Sequence, residues 1–196
     1  MQRGDLIAFT EEIAAEFNAA KIPHPVHLSD GNEDQLLDIF TIIDTERDWV
    51  CGTWRQHYQC LLKGVPPEEL KAAIRSGQSI ALNFPEYRIV SSAIVGGILP
   101  IATGIALAIK RRGGNERVHC FLGDMAAHSG AFHESLTYAR AHNLPVRFII
   151  ENNEHSVCTP TEAVWPGVEL PSGPLVEFYQ YRSKWPHAGA GKRVEF

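Results

Sequence analysis

Residues 118–122 and 145–150 are apolar runs of strand length, and residues 130–142 between them carry a helical pattern. In that pattern Phe132, Leu136 and Ala139 share one stripe, with Glu134, Thr137 and Arg140 between them. A strand, a helix and a second strand this close in sequence form a crossover unit, which is right-handed and sets its strands parallel. No other stretch narrows the possible folds as far. The first strand runs into Gly123-Asp124 and the second into Glu151-Asn152-Asn153. Asp124 and Asn153 are therefore expected at the solvent edge, beyond the carboxyl ends of two parallel strands. Adjacent strands lie ~4.8 Å apart, and open α/β sheets bind ligands in the crevice at that edge. The fold expected is a three-layer α/β arrangement, with a mostly parallel central sheet and helices on both faces.

The remaining elements fit that frame. Residues 5–21 read as an amphipathic helix with Leu6, Ile7, Phe9, Ile13 and Phe17 inward, ended by Pro23 and Pro25. Gly31 precedes a helix carrying Leu36, Leu37, Ile39 and Phe40. Residues 48–52 read as a strand, 66–75 as a helix with proline at its start, and 77–87 as irregular. Residues 98–109 are hydrophobic all round, which predicts a buried helix ending near Gly113-Gly114. Residues 159–174, rich in proline and glycine, read as a loop, and 174–182 alternate like a strand. With no repeat, linker or low-complexity stretch, residues 1–196 are expected to form a single domain.

Charge and composition exclude several classes. A net charge of −5, with Lys110-Arg111-Arg112 as the only basic cluster, argues against nucleic-acid binding. That cluster suits a helix C-terminus. No long apolar window predicts a membrane span, and Glu11, Glu12 and Glu16 stand where a signal peptide would be apolar. Cys51, Cys60, Cys120 and Cys158 lack zinc-type spacing, so reduced thiols and a cytoplasmic location are expected.

The pair at the strand ends has specific chemistry. A carboxylate and an amide oxygen are hard ligands, and magnesium takes only one or two side-chain oxygens besides phosphate and water. Gly123 would permit a sharp turn and the close approach of a diphosphate. Taken singly, GD is as readily a helix cap and NN a turn. Their occurrence at both ends of one crossover unit favours a cation.

The spacing of Gly123-Asp124 from Asn152-Asn153, filled by GAFHESLTYARAHNLPVRFIIENN, resembles the thiamin diphosphate motif. The filling is similar to the alpha subunits of 2-oxo acid dehydrogenases of the pyruvate and branched-chain type. The resemblance runs over residues 22–187, strongest over 94–159. It implies Mg2+ held by Asp124, Asn153 and the His155 carbonyl, with Gly123, Met125 and Ala126 along thiamin diphosphate. Met125 stands where the family usually has glycine. Gly31-Asn32-Glu33 matches a Gly-x-Glu segment that opens a helix in these subunits.

Trp54-Arg55-Gln56-His57 is similar to the family's Tyr-Arg-x-His segment at the diphosphate, with tryptophan for tyrosine. Arg55 suits the role because a planar guanidinium binds phosphate oxygens bidentately. By position, Ala93 and Val95, followed by Gly96, would offer backbone groups to the aminopyrimidine ring. The family's Gly-rich, His-containing loop is not kept in residues 77–87. Tyr181-Arg182 match a segment that leads to an active-site histidine loop, but His187 falls one place on, where Pro186 takes the family's position. Between Thr159 and Pro174 the family has more chain, so a shortened form is implied.

The resemblance implies an alpha-type subunit that decarboxylates a 2-oxo acid and transfers the acyl unit. His187 would contact substrate, with His128 and His155 as alternatives. A beta-type partner would carry the pyrimidine-binding domain and the activating glutamate, in an alpha2beta2 or similar hetero-oligomer. Glu134 and Glu151 would face the crevice at the wrong end of the cofactor to serve instead. The apolar residues 94–101 would lie exposed without that partner. A transketolase-like carbon–carbon ligase half, or a non-catalytic regulatory relative, are the alternatives.

Overall fold

The computed structural model describes residues 1–192 and is organised on a mixed six-stranded sheet. The strands are β1 (Trp49–Gly52), β2 (Asn83–Phe84), β3 (Ile89–Ser91), β4 (Val118–Gly123), β5 (Val146–Asn152), β6 (His155–Ser156), β7 (Thr159–Pro160) and β8 (Val176–Gln180). The sheet order is β2-β3-β1-β4-β5-β8, and β6 with β7 forms a separate hairpin. All sheet pairings are parallel except β2 with β3.

The central strands read as continuous apolar runs because both of their faces are covered. Val118, Cys120 and Leu122 of β4, with Phe148 and Ile150 of β5, face one apolar core. Phe121 and Ile149 face the other. The helices are α1 (Arg3–Asn18), α2 (Glu33–Phe40), α3 (His57–Leu62), α4 (Pro67–Arg75), α5 (Ile98–Arg111), α6 (Asp124–Ala127), α7 (Gly130–Ala141) and α8 (Thr161–Val164). Residues of α1 to α4 build the core on the Phe121 side, and residues of α5 to α7 build the other. Three layers result. Among the described residues no helix is long and apolar enough to cross a membrane.

Connectivity creates the crevice. From β1 the chain moves outward to β2 and β3, then α5 returns it to β4 on the opposite side of β1. Connections leave β1 and β4 in opposite directions, so a cleft opens beyond their carboxyl ends. Gly123 pairs with Glu151 at the same edge, which brings the end of β5 alongside.

Several expectations need correction. Helix α1 ends at Asn18, before the prolines, because Ala20 adopts a left-handed conformation (φ 56). The N–H groups of Ala20 and Lys21 then bond back to Phe17 and Glu16 carbonyls, closing the helix. Residues 83–91, read as irregular or left unassigned, form β2, a short 3-10 turn (Pro85–Tyr87) and β3. Residues 159–174, expected as loop, include β7 and α8. Helix α5 is not buried all round: Ile98, Leu99, Ala102, Ala106 and Ile109 point inward, while Ile101 is 45% exposed. Ile94 and Val95 continue this apolar surface, at 74% and 52% exposed.

His57 generates a pH prediction. Its ring is fully buried, lies within 2.9 Å of Ser79 Oγ, and burial lowers its pKa to about 3, with the His27 and Arg55 charges adding to the effect. The unfolded chain takes up this proton near the ordinary value of 6.5, and the folded chain only near 3. Stability from the neutral ring is therefore complete above pH 6.5 and declines as pH falls toward 3. His57→Gln should be less stable than wild type by about 1–3 kcal/mol at pH 7.5. The gap should narrow at pH 4.5 in chemical denaturation. A gap independent of pH would contradict a buried neutral His57.

Candidate functional site

A cavity of about 640 Å³ opens at the carboxyl ends of β1, β4 and β5. The segment after β1 contributes Trp54 and Arg55, and the β4–α6 junction contributes Gly123, Asp124, Met125 and Ala126. Glu151, Asn153 and His155 come from the end of β5 and the following hairpin. Val95 and Gly96 come from the loop before α5, and Tyr181, Arg182, Pro186 and His187 from the chain after β8.

Asp124 opens α6 directly after β4, so its carboxylate is set by the strand rather than by a mobile loop. It does not lie at the solvent edge as expected: it is 1% exposed. The Thr161 hydroxyl donates to Oδ2, and Oδ1 has no hydrogen-bond partner. Burial raises the pKa of this carboxyl, opposed by the Thr161 bond, by the nearby N–H groups of Asp124 and Met125, and by His128. Gly123 also differs from expectation. Its backbone is extended (φ −77), so the turn does not require glycine. A Cβ there would meet nothing within 4 Å, which leaves open space over the cavity floor.

The hairpin beyond β5 folds on its own side chains. Asn152 Oδ1 accepts from the Glu154 N–H at 2.9 Å, and Asn153 Oδ1 accepts from the His155 N–H at 3.2 Å. Among the described residues no group of three or more His, Cys, Asp or Glu side chains is placed to hold a metal alone. Any cation here must combine Asp124 with amide, carbonyl and ligand oxygens, which is the donor mixture magnesium accepts.

Arg55 reaches back to the Leu28 carbonyl at 2.6 Å through Nη1, which leaves its other donors available. Trp54, His27 and His187 form a ring cluster, with His27 and His187 centroids 4.5 Å apart and Trp54 within 5.8 Å of both. His27 Nδ1 lies 2.6 Å from the His187 carbonyl, and burial lowers its pKa to about 4. The neutral ring must carry its proton on Nδ1 to donate to that oxygen. His187 is half-buried and also lowered, mainly by burial and then by Arg55. Both Pro186 and His187 line the cavity, so the one-place offset in sequence does not remove an imidazole from it.

Glu151 is buried beneath the cavity. Its Oε1 accepts from Tyr179 Oη (2.5 Å), Gln59 Nε2 (3.0 Å) and Asn32 Nδ2 (3.4 Å). Desolvation raises its pKa to about 7, against the lowering effects of Tyr179, Arg55, Gln59 and Asn32.

The structure separates some sequence candidates from the cavity. His57 begins α3 inside the core beside Ser79 and Phe9, so it cannot reach a diphosphate. Ala93 is exposed and outside the lining, while Val95 and Gly96 remain in it. His128, at the end of α6, stacks on Trp165 at 5.5 Å and is not part of the lining. Glu134 is on the exposed side of α7. Sequence reading missed His27, Tyr179 and Thr161. Only the Gly-x-Glu segment close after His27 hinted that its loop was structured.

Comparison with known proteins identifies the family. The family model described as Dehydrogenase E1 component matches residues 2–165. The alpha subunit of acetoin:2,6-dichlorophenolindophenol oxidoreductase from Cupriavidus necator is 33% identical over 161 residues, covering 77% of this chain and 48% of that protein. The protein of the same name from Bacillus subtilis is 29% identical over 168 residues, covering 81% and 50%. The pyruvate dehydrogenase E1 component subunit alpha of Porphyra purpurea is 28% identical over 166 residues, covering 76% and 48%. The chain thus spans about half the length of these curated relatives.

One glycine packed behind the site wall is testable. Gly31 sits at φ +80 beside the cavity loop, and a Cβ there would lie 2.0 Å from the Arg182 carbonyl oxygen. Gly64 has a similar φ (+97) but open space around it. Gly64→Ala should cost about 1–2 kcal/mol, the left-handed penalty alone. Gly31→Ala should cost at least about 2 kcal/mol more, because backbone atoms must separate. Urea unfolding of the two variants measures the difference. Equal losses would mean that the 31–182 contact is not tight.

Proposed function

The chain belongs to the Dehydrogenase E1 component family, and on that premise we propose that it is an alpha-type subunit. It would hold thiamin diphosphate and Mg2+ in an enzyme that decarboxylates a small 2-oxo acid and transfers the acyl unit. The observation that carries this reading is the buried Asp124 carboxylate with an unpartnered oxygen, next to the open space at Gly123. A buried anionic oxygen without a donor is costly, and a cation would relieve it.

Asp124, Asn153 and the His155 carbonyl would ligate the ion. Arg55, held at one end by Leu28, and the exposed Arg182 would meet diphosphate oxygens. His187 would orient a substrate carboxylate, with His27 holding its loop. Thiamin diphosphate, when bound, supplies the carbanion chemistry, and the protein supplies position and electrostatics. Relatives named for pyruvate and for acetoin support a small carbonyl substrate.

A beta-type partner, bringing the pyrimidine-binding domain and an activating glutamate, would complete the site in a hetero-oligomer. Two features support this. Glu151 lines the cavity with its Oε1 taken by Tyr179, Gln59 and Asn32, and Glu134 lies outside it. The exposed Ile94, Val95 and Ile101 form an apolar surface that runs into the cavity at Val95.

Calorimetric titration with thiamin diphosphate and Mg2+ tests the reading. Asp124→Asn keeps the side-chain shape and should weaken Mg2+-dependent binding by more than about 100-fold, beyond the loss typical of an outer-shell partner. Arg55→Lys should also weaken cofactor binding while preserving charge. Decarboxylation with an artificial electron acceptor should be absent for the chain alone and appear with a beta-type chain. Wild-type cofactor affinity in Asp124→Asn would sink the metal assignment, and turnover by the lone chain would sink the split site.

A further inference from the structure

Thr161 touches both strand ends that carry the proposed ligands. Its backbone N–H donates to the Glu154 carbonyl at 2.9 Å, which fixes it one residue from Asn153. Its hydroxyl donates to Asp124 Oδ2. The other oxygen of that carboxylate has no partner, and the residue is 1% exposed. Between the two contacts the chain runs through the β6–β7 hairpin, paired at His155↔Pro160 and Ser156↔Thr159. That hairpin delivers Thr161 back to Asp124.

A carboxylate that ligates a metal works best when a second group fixes its rotation, because a freely turning ligand must be ordered on binding. Thr161 supplies such a group. Through its backbone bond to Glu154 and its hydroxyl bond to Asp124 it also adds a tie between the β4 end and the segment after β5, on top of the strand register. Only a hydroxyl performs both tasks here. Valine has nearly the same shape and no donor, and serine keeps the donor.

Resting on the magnesium and thiamin diphosphate reading above, we propose that Thr161 is a positioning residue for the cation. Its hydroxyl orients the Asp124 carboxylate and ties the two ligand-bearing strand ends together. The residue touches neither substrate nor cofactor in this role. Its effect passes entirely through Asp124.

The test is Mn2+ binding to the full chain with thiamin diphosphate in excess, read by the loss of the free-ion electron paramagnetic resonance signal. Wild type, Thr161→Val, Thr161→Ser and Asp124→Asn are compared, with metal-free melting temperatures alongside. Thr161→Val should weaken Mn2+ binding by about 10–100-fold, and Thr161→Ser should stay within about threefold of wild type. The metal-free melting temperature of Thr161→Val should fall below that of Thr161→Ser, because Asp124 Oδ2 loses its donor, so Mn2+ binding is read at a temperature where both variants are folded. Unchanged or tighter Mn2+ binding in Thr161→Val, or an equal loss in Thr161→Ser, overturns the role of Thr161 while leaving the metal site standing. Wild type without Mn2+ binding that Asp124→Asn abolishes overturns the metal reading itself, and the role of Thr161 with it.

Discussion

From Val118↔Val146 to Gly123↔Glu151, β4 and β5 stay in parallel register without interruption. Both apolar cores lock that register. Leu122 and Ile150 face one core, and Phe121 and Ile149 face the other. A slip of one residue would exchange the faces of every side chain on the strand, moving His119 and Arg147 into positions now filled by apolar groups. The register is therefore fixed by burial on two sides, and Asp124 and Asn153 inherit their places from it. Cavity chemistry depends on sheet packing at this point more than on any loop.

Burying Glu151 next to that register costs solvation of its carboxylate. One of its oxygens is well used, however. Asn32 precedes α2, Gln59 lies in α3 and Tyr179 lies in β8, so one carboxyl oxygen joins three elements to β5. Hydrogen bonds from three elements to one buried oxygen restrict how those elements move, although Asn32 Oδ1 and Gln59 Oε1 are left without partners. Here they hold the loop of Gly31, the arginine-bearing segment before α3 and the strand that leads to Tyr181 around one cavity.

How much of this was legible in the sequence depends on the length scale of each interaction. The β4–α7–β5 unit could be read because its periods and lengths are local properties of the chain. The β2 and β3 strands could not, because strands of two and three residues carry no period. Helix α5 shows a different limit. Apolar residues read as buried, and nothing local marks Ile101 as belonging to an outward face. His27 escaped notice because the carbonyl it bonds lies 160 residues away. Asp124 was located in sequence, but its bond to Thr161 was not, since Thr161 lies in a segment that composition marks as loop.

The electrostatics of the cavity follow from the same contacts. Arg55 and Arg182 bring fixed positive charge, while His27 and His187 have their pKa values lowered by burial and Arg55. Because His27 donates through Nδ1 to the His187 carbonyl, the loop is held without adding a further cation. Asp124, by contrast, is a carboxyl whose burial works against its charge, and on the proposed reading a cation would offset that cost. Two guanidinium groups and a buried carboxylate in the lining of one cavity would suit a polyanion and a divalent ion entering together. Either alone would leave uncompensated charge at one end of the cavity. The coupling is reciprocal, so each partner should bind more tightly in the presence of the other.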